Sequence, residues 1–166
     1  TGMAHIDLQD IVTGKATFAA DVREPKALVA IIERPPVVGG KVKSFDVSKA
    51  KAVSGVVDII EIPAPKGAPQ FQPKGGIAII ANNTWAAWQG RKALDVEWDD
   101  GANGDYNSES FKAQLLSTVN APQTLVREKG DALSVLENAS DKLIADYYVP
   151  HLAQAPMEPP CATAMY

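Results

Sequence analysis

Cysteine is almost missing from this chain: Cys161 is the only one in 166 residues. A disulfide within the chain, a Cys-based structural zinc site and internal iron–sulfur ligation are thereby excluded. Long apolar runs are missing as well. Runs such as "IAIIA" at residues 77–81 are far short of the roughly 20 residues that a membrane-spanning helix needs. Clustered positive charge is the third absence. Lys and Arg number 16 against 20 Asp and Glu, the net charge is −4, and no basic run exceeds Arg91-Lys92. Phosphate backbones are held by grouped Lys and Arg, so a nucleic-acid binder is excluded. The opening "TGMAHIDLQD" carries no apolar core of a signal peptide, and the compartment stays open.

What is present suits a folded domain. Apolar residues make up 46% of the chain and charged residues only 22%, enough to build a core and too few charges for wholesale disorder. The length fits one domain, or one domain plus a piece of another.

Along the chain, "VTGKATFAADVREP" (residues 12–25) reads as a turn at Gly14 followed by an extended stretch. "ALVAIIERPP" (27–36) is a β-branched run stopped by two prolines, a buried strand. "GGKVKSFDV" (39–47) is a second strand. "SKAKAVSG" (48–55) is a short helix capped by Ser48 or Asp46 and terminated by Gly55. "VVDIIEI" (56–62) is a third strand. The Pro/Gly-rich 63–76 segment is a surface loop, and 77–81 a strand again. "NNTWAAWQGRKAL" (82–94) has a polar cap and Trp85 and Trp88 at i, i+3, predicting a helix with one aromatic face. Gly90 within it costs about 1 kcal/mol relative to Ala, so its last turn is either loose or closely packed. "LDVEWD" (94–99) alternates strictly, Leu94, Val96 and Trp98 against Asp95, Glu97 and Asp99, predicting a half-exposed strand.

"SESFKAQLLSTV" (108–119) spaces Phe111, Leu115 and Val119 four apart behind a Ser cap, an amphipathic helix. "TLVREKG" (124–130) suggests a short strand, 131–139 a short helix, and "KLIADYYVPHL" (142–152) a closing strand. Such uneven alternation favours an α+β fold with a mixed sheet over a doubly wound one. "CATAMY" at residues 161–166 reads as the opening of a further strand, which predicts that the chain is a fragment.

No chemical motif is complete. Gly39-Gly40 and Gly75-Gly76 match neither phosphate-loop pattern and read as turns. The acidic turn "DDGANGD" (99–105) places Gly101 where a calcium loop needs its second ligand, so it reads as a solvated turn. Cys161 and His151 are separated by a proline-rich stretch and lack an orienting third group, which leaves Cys161 as a buried apolar thiol. His5 and Asp7 are too few ligands for a metal. Trp85, Trp88 and Trp98 each lie on an apolar side, as core residues do. No catalytic and no metal-binding residue is assigned.

Three stretches carry a resemblance: "VTGKATFAADVREP", the run from Leu28 to Ile62, and "GGIAIIANNTWAAWQGRKALDVEWDDG". In this order they resemble the α/β-hammerhead domain of molybdenum hydroxylase large subunits, the xanthine dehydrogenase and aldehyde oxidase family. "ERPPVVGGKVKSFD" is similar in particular to the β-subunit of isoquinoline 1-oxidoreductase and related bacterial aldehyde dehydrogenases. "YYVPHLAQAPMEPPCATA" resembles the passage into the molybdopterin-binding region. The resemblance implies a hammerhead domain over residues 1–150 and a seam over 151–166. It implies a parent enzyme that hydroxylates N-heteroaromatics or oxidises aldehydes with oxygen from water. The cofactor implied is molybdopterin cytosine dinucleotide with molybdenum, held outside this segment. Iron–sulfur clusters would sit on a small partner subunit, and the remaining large-subunit domains would be the other partners. The family's catalytic glutamate and glycine-rich cofactor loop lie beyond this stretch. Glu158, in "PMEPP", matches an acidic seam residue and is the one candidate for a place near the cofactor. The alternatives are a carboxylate holding the seam by accepting backbone N–H bonds, and for the chain as a whole a free-standing binding module using Trp85 and Trp88 or the 63–76 loop.

Overall fold

The computed structural model describes residues 3–67, 71–72, 74–121, 124–127 and 129–165. The chain divides into two units, Thr1–Gly104 with Gln154–Tyr166, and Asp105–Ala153.

In the first unit a short helix α1 (Leu8–Val12) precedes five strands: β1 (Val29–Glu33), β2 (Lys41–Asp46), β3 (Val56–Ile62), β4 (Gly76–Ala81) and β5 (Asp95–Asp99). Helix α2 (Ser48–Lys51) joins β2 to β3, and α3 (Thr84–Ala93) joins β4 to β5. β4 is the middle of a three-stranded sheet, β1-β4-β3, while β2 and β5 form a separate pair. The sheet expected to be mixed is antiparallel at every described pairing. β1 and β3 do run parallel to each other, but β4 lies between them, so the two never share a ladder. The architecture is α+β, with antiparallel sheets and short helices.

β4 has no charged residue because both its edges are paired and its side chains are covered. Ile77 and Ile79 are wholly buried, and each contributes about 1.5–3 kcal/mol of burial. They pack with Ala50 of α2 and Ile59 of β3, flanked by Phe45, Leu94 and Val96. A second cluster joins Ala81 to Ala86 and Ala87 of α3. Asn83 caps α3 by accepting the Ala86 N–H at 2.8 Å. Gly55 follows α2 at φ +91°, a left-handed turn where a Cβ would also lie 2.9 Å from that of Ala86.

The face by which α3 packs differs from the expected one. The small residues Ala86, Ala87 and Gly90 are buried, whereas Trp85 is 68% and Trp88 41% exposed. A Cβ on Gly90 would stand 2.8 Å from Val56 Cγ2 and 3.0 Å from Ile79 Cγ2. The helix therefore lies too close to the sheet for indole rings, and the aromatic pair turns outward. Trp98 alone of the three tryptophans is half-buried.

The second unit holds α4 (Ser108–Asn120), capped by Asn107 rather than Ser108, and α5 (Ala132–Asn138), capped by Asp131. The strands expected at 124–130 and 142–152 do not form among the described residues. Their β-branched and aromatic residues have no neighbouring ladder to join, and propensity without a partner strand does not make a strand. Residues 161–165 likewise form none, and Tyr166 lies outside the described residues.

Candidate functional site

Two concavities lie in the first unit. The larger, about 600 Å3, opens between the β1–β2 connection and the two ends of the 63–76 loop. Arg34, at the end of β1, holds the loop's return. Its Nη1 donates to the carbonyl of Lys74 and, at 3.0 Å, to that of Gly75. Prolines Pro35 and Pro63 stand on the walls, and Lys41, Lys66 and Lys74 line it as well. Within the loop, residues 68–70 and 73 lie outside the described residues.

The smaller concavity, about 440 Å3, is formed by Trp88, Trp98, Leu94 and Val96 with Glu33, Arg91 and Lys92. Its charges are already engaged. Arg91 is ion-paired with Glu33, and Lys92 Nζ sits 3.7 Å from the centre of the Trp88 ring. Trp85 stacks obliquely on Trp88, with ring centres 6.0 Å apart.

On the outer face of the β2–β5 pair, Glu97 accepts from Lys43 Nζ at 2.6 Å and from Ser44 Oγ at 3.0 Å. The hydrogen bond from Lys43 first, then that from Ser44, holds the Glu97 carboxyl below its ordinary range, and Lys43 is raised in turn. Asp46 is held down by the Ser48 hydroxyl at 2.6 Å and then by the Ser48 N–H at 2.8 Å. Asp46 thus does the capping work at the start of α2, although Val47 occupies the cap position.

The residues singled out in the sequence are not brought into one site. Cys161 is exposed, not a buried thiol, because the extended 154–165 segment lies on the surface of its unit. His151 belongs to the second unit, where its Nδ1 is 3.3 Å from the Tyr106 hydroxyl and its ring lies 5.3 Å from that of Phe111. His5 Nδ1 and Asp7 Oδ2 are 4.0 Å apart in an exposed pair. The 99–105 turn is bound to protein: Asp99 accepts the Gly101 N–H at 3.0 Å, and Asn103 donates to the Val38 carbonyl at 2.7 Å. Glu158 Oε1 accepts the Ala19 N–H at 2.9 Å, across 139 residues of sequence. Among the described residues no group of three or more His, Cys, Asp or Glu is placed to hold a metal ion, and no helix is long and apolar enough to cross a membrane.

In sequence the chain is similar to components of oxidoreductases. The B component of nicotinate dehydrogenase from Pseudomonas putida is 26% identical over 168 residues, which cover 96% of this chain and 13% of that protein. The β-subunit of isoquinoline 1-oxidoreductase from Brevundimonas diminuta is 28% identical over 102 residues, 61% of this chain and 11% of that one. The chain thus corresponds to a small part of either relative's length. Among solved structures, the Cu,Mo-containing carbon monoxide dehydrogenase aligns over 58% of this chain and 15% of its own, with a TM-score of 0.44 and 19% identity. Quinoline 2-oxidoreductase from Pseudomonas putida 86 aligns over 60% and 16%, with a TM-score of 0.44 and 18% identity. No family model matches the chain.

Proposed function

We propose that this chain is the α/β-hammerhead part of a molybdenum-dependent oxidoreductase, with residues 1–150 as the domain and 151–166 as a seam to a molybdopterin-binding region. One observation carries the reading. Similarity to the nicotinate dehydrogenase component runs through 96% of this chain while covering 13% of that protein. The ordered resemblance of residues 12–25, 28–62 and 75–101 to molybdenum hydroxylases supports it. The parent enzyme would hydroxylate a carbon beside a ring nitrogen, or oxidise an aldehyde, with oxygen from water.

Molybdenum on a pterin cytosine dinucleotide would supply that chemistry, with iron–sulfur clusters on a small partner subunit. The described residues offer no cluster of metal ligands, and no chemical step is assigned to them. Their role is to shape and support. Glu158 is the residue proposed to face the cofactor side of the seam, with one oxygen already committed to Ala19. A carboxylate so engaged acts as a positioning group rather than a base.

The test is the metal and nucleotide content of the parent polypeptide, purified with the protein encoded beside it from cells that make the cofactor. Molybdenum and cytosine nucleotide near one per chain, with iron on the partner, are expected. A well-folded preparation holding neither would overturn the reading. It would favour a binding module instead, for which the outward Trp85 and Trp88 supply the observation.

A further inference from the structure

The charge around the 600 Å3 concavity runs against that of the chain. The whole sequence carries −4. Yet Arg34, Lys41, Lys66 and Lys74 line this one cavity against a single acid, Glu61. Neither the lysines nor Glu61 belongs to an ion pair among the described residues. Elsewhere in the same unit Lys43, Lys51 and Arg91 each have a carboxylate partner. Grouped cations that outnumber the acids beside them raise the local concentration of anions.

The walls say what kind of anion. Pro35, Pro36, Pro63, Pro65, Val38 and Ile62 give the cavity a largely apolar lining. Its volume falls in the range of small-molecule sites, about 300–1,000 Å3, where apolar walls hold the body of a ligand and a few polar groups orient it. A bare inorganic ion would leave those walls wet, and a neutral hydrocarbon would leave the cations unanswered. Arg34 is the positioning residue: its bonds to the Lys74 and Gly75 carbonyls bring the returning strand of the loop against the β1 end.

We propose that this cavity binds a small organic carboxylate with an apolar body, of the size of a two-ring aromatic acid, and that Lys41, Lys66 and Lys74 supply the charge recognition. Such binding is independent of the oxidoreductase reading and needs no metal or cofactor.

The probe is 2-naphthoate, titrated into the full chain by calorimetry with chemical-shift mapping in parallel. Saturable one-to-one binding is expected, with shifts at Val38, Gly40 and Ile62. The uncharged 2-naphthamide should bind several-fold more weakly, and raising salt from about 20 to about 300 mM should weaken the acid. The combined Lys41→Gln, Lys66→Gln, Lys74→Gln variant should lose about tenfold in affinity. The Lys112→Gln, Lys129→Gln, Lys142→Gln variant changes net charge equally in the second unit and should bind as the unaltered chain does. Absence of saturation, equal binding of the amide, or equal losses in the two variants would each overturn the proposal. All six side chains except the half-buried Lys112 are exposed, and an unchanged thermal midpoint shows that both variants fold.

Discussion

Gly90→Ala pits two known effects against each other inside α3. In an isolated helix the change is favourable by about 1 kcal/mol, because alanine has less backbone freedom to lose. Here the added methyl would stand 2.8 Å from Val56 Cγ2 and 3.0 Å from Ile79 Cγ2, against about 3.5–4.0 Å for relaxed carbon contacts. Ile79 is wholly buried in the central strand and cannot withdraw, so helix and sheet must separate. Overpacking of this kind costs about 1–3 kcal/mol. The loss exceeds the gain, and we expect a net destabilisation of about 1 kcal/mol. Urea unfolding followed by tryptophan fluorescence measures it as a lower midpoint at unchanged slope. Val56→Ala removes one of the two obstructing methyls. The double variant should therefore be less destabilised than the sum of the singles, with a coupling of at least about 0.5 kcal/mol. A Gly90→Ala variant more stable than the parent would refute the close approach of α3 to the sheet.

Three further outcomes follow from the same structure. Ile79→Ala leaves a cavity under α3, beside the wholly buried Ile77, and should cost about 2–5 kcal/mol in the same assay. In hydrogen exchange, Glu158→Ala should abolish whatever protection the Ala19 amide has, while Glu158→Gln, which keeps a carbonyl acceptor, retains it; equal loss in both would show that charge rather than the bond is needed. The carboxyls of Glu97 and Asp46 are held below their ordinary range by their partners, so the stability they give is complete above the normal carboxyl range and is lost as pH falls through their lowered values. A thermal midpoint flat from about pH 7 to 5 and falling below about pH 4 is expected, with a smaller acid drop in a Glu97→Gln, Asp46→Asn variant. Raised Lys43 acts in the opposite sense and loses its share only as pH climbs past lysine's ordinary range.

The elements of the first unit were legible where a single local rule decides them. The run 56–62 and the strict alternation from Asp95 to Asp99 are strands in the structure, and in the second of them burial alternates with the pleat. A polar cap before Thr84 was legible in the same way, whereas α2 ends at Lys51 with Ala52 as its cap, ahead of the Gly55 expected to terminate it. What escaped depends on distances across the fold. Nothing within "TWAAWQGRKA" states that the alanine–glycine face lies closer to the sheet than an indole allows. Nor does the sequence show Arg34 reaching carbonyls forty residues away, or Glu33 meeting Arg91. The Leu8, Ile11, Val12 spacing was available and does mark α1. In the second unit, residues 142–152 had the composition of a strand and lacked only a neighbour. The candidate site suffered likewise: lysines 41, 66 and 74 are scattered in sequence and meet only when two loops fold beside each other.

The bond between Glu158 and Ala19 spans 139 residues, and the stretch between them includes all of the second unit. Closing a flexible loop of that length costs about 4 kcal/mol in chain entropy, while one exposed hydrogen bond returns only about 0.5–1.5 kcal/mol. The bond cannot gather the chain by itself. It can form only once the intervening elements have folded and shortened the path, which makes it a latch that follows the folding of those elements and opens first under stress. Peeling residues 154–165 away would then leave the β1-β4-β3 sheet untouched, so a protease arriving at this segment would meet a chain already loosened by its own thermodynamics.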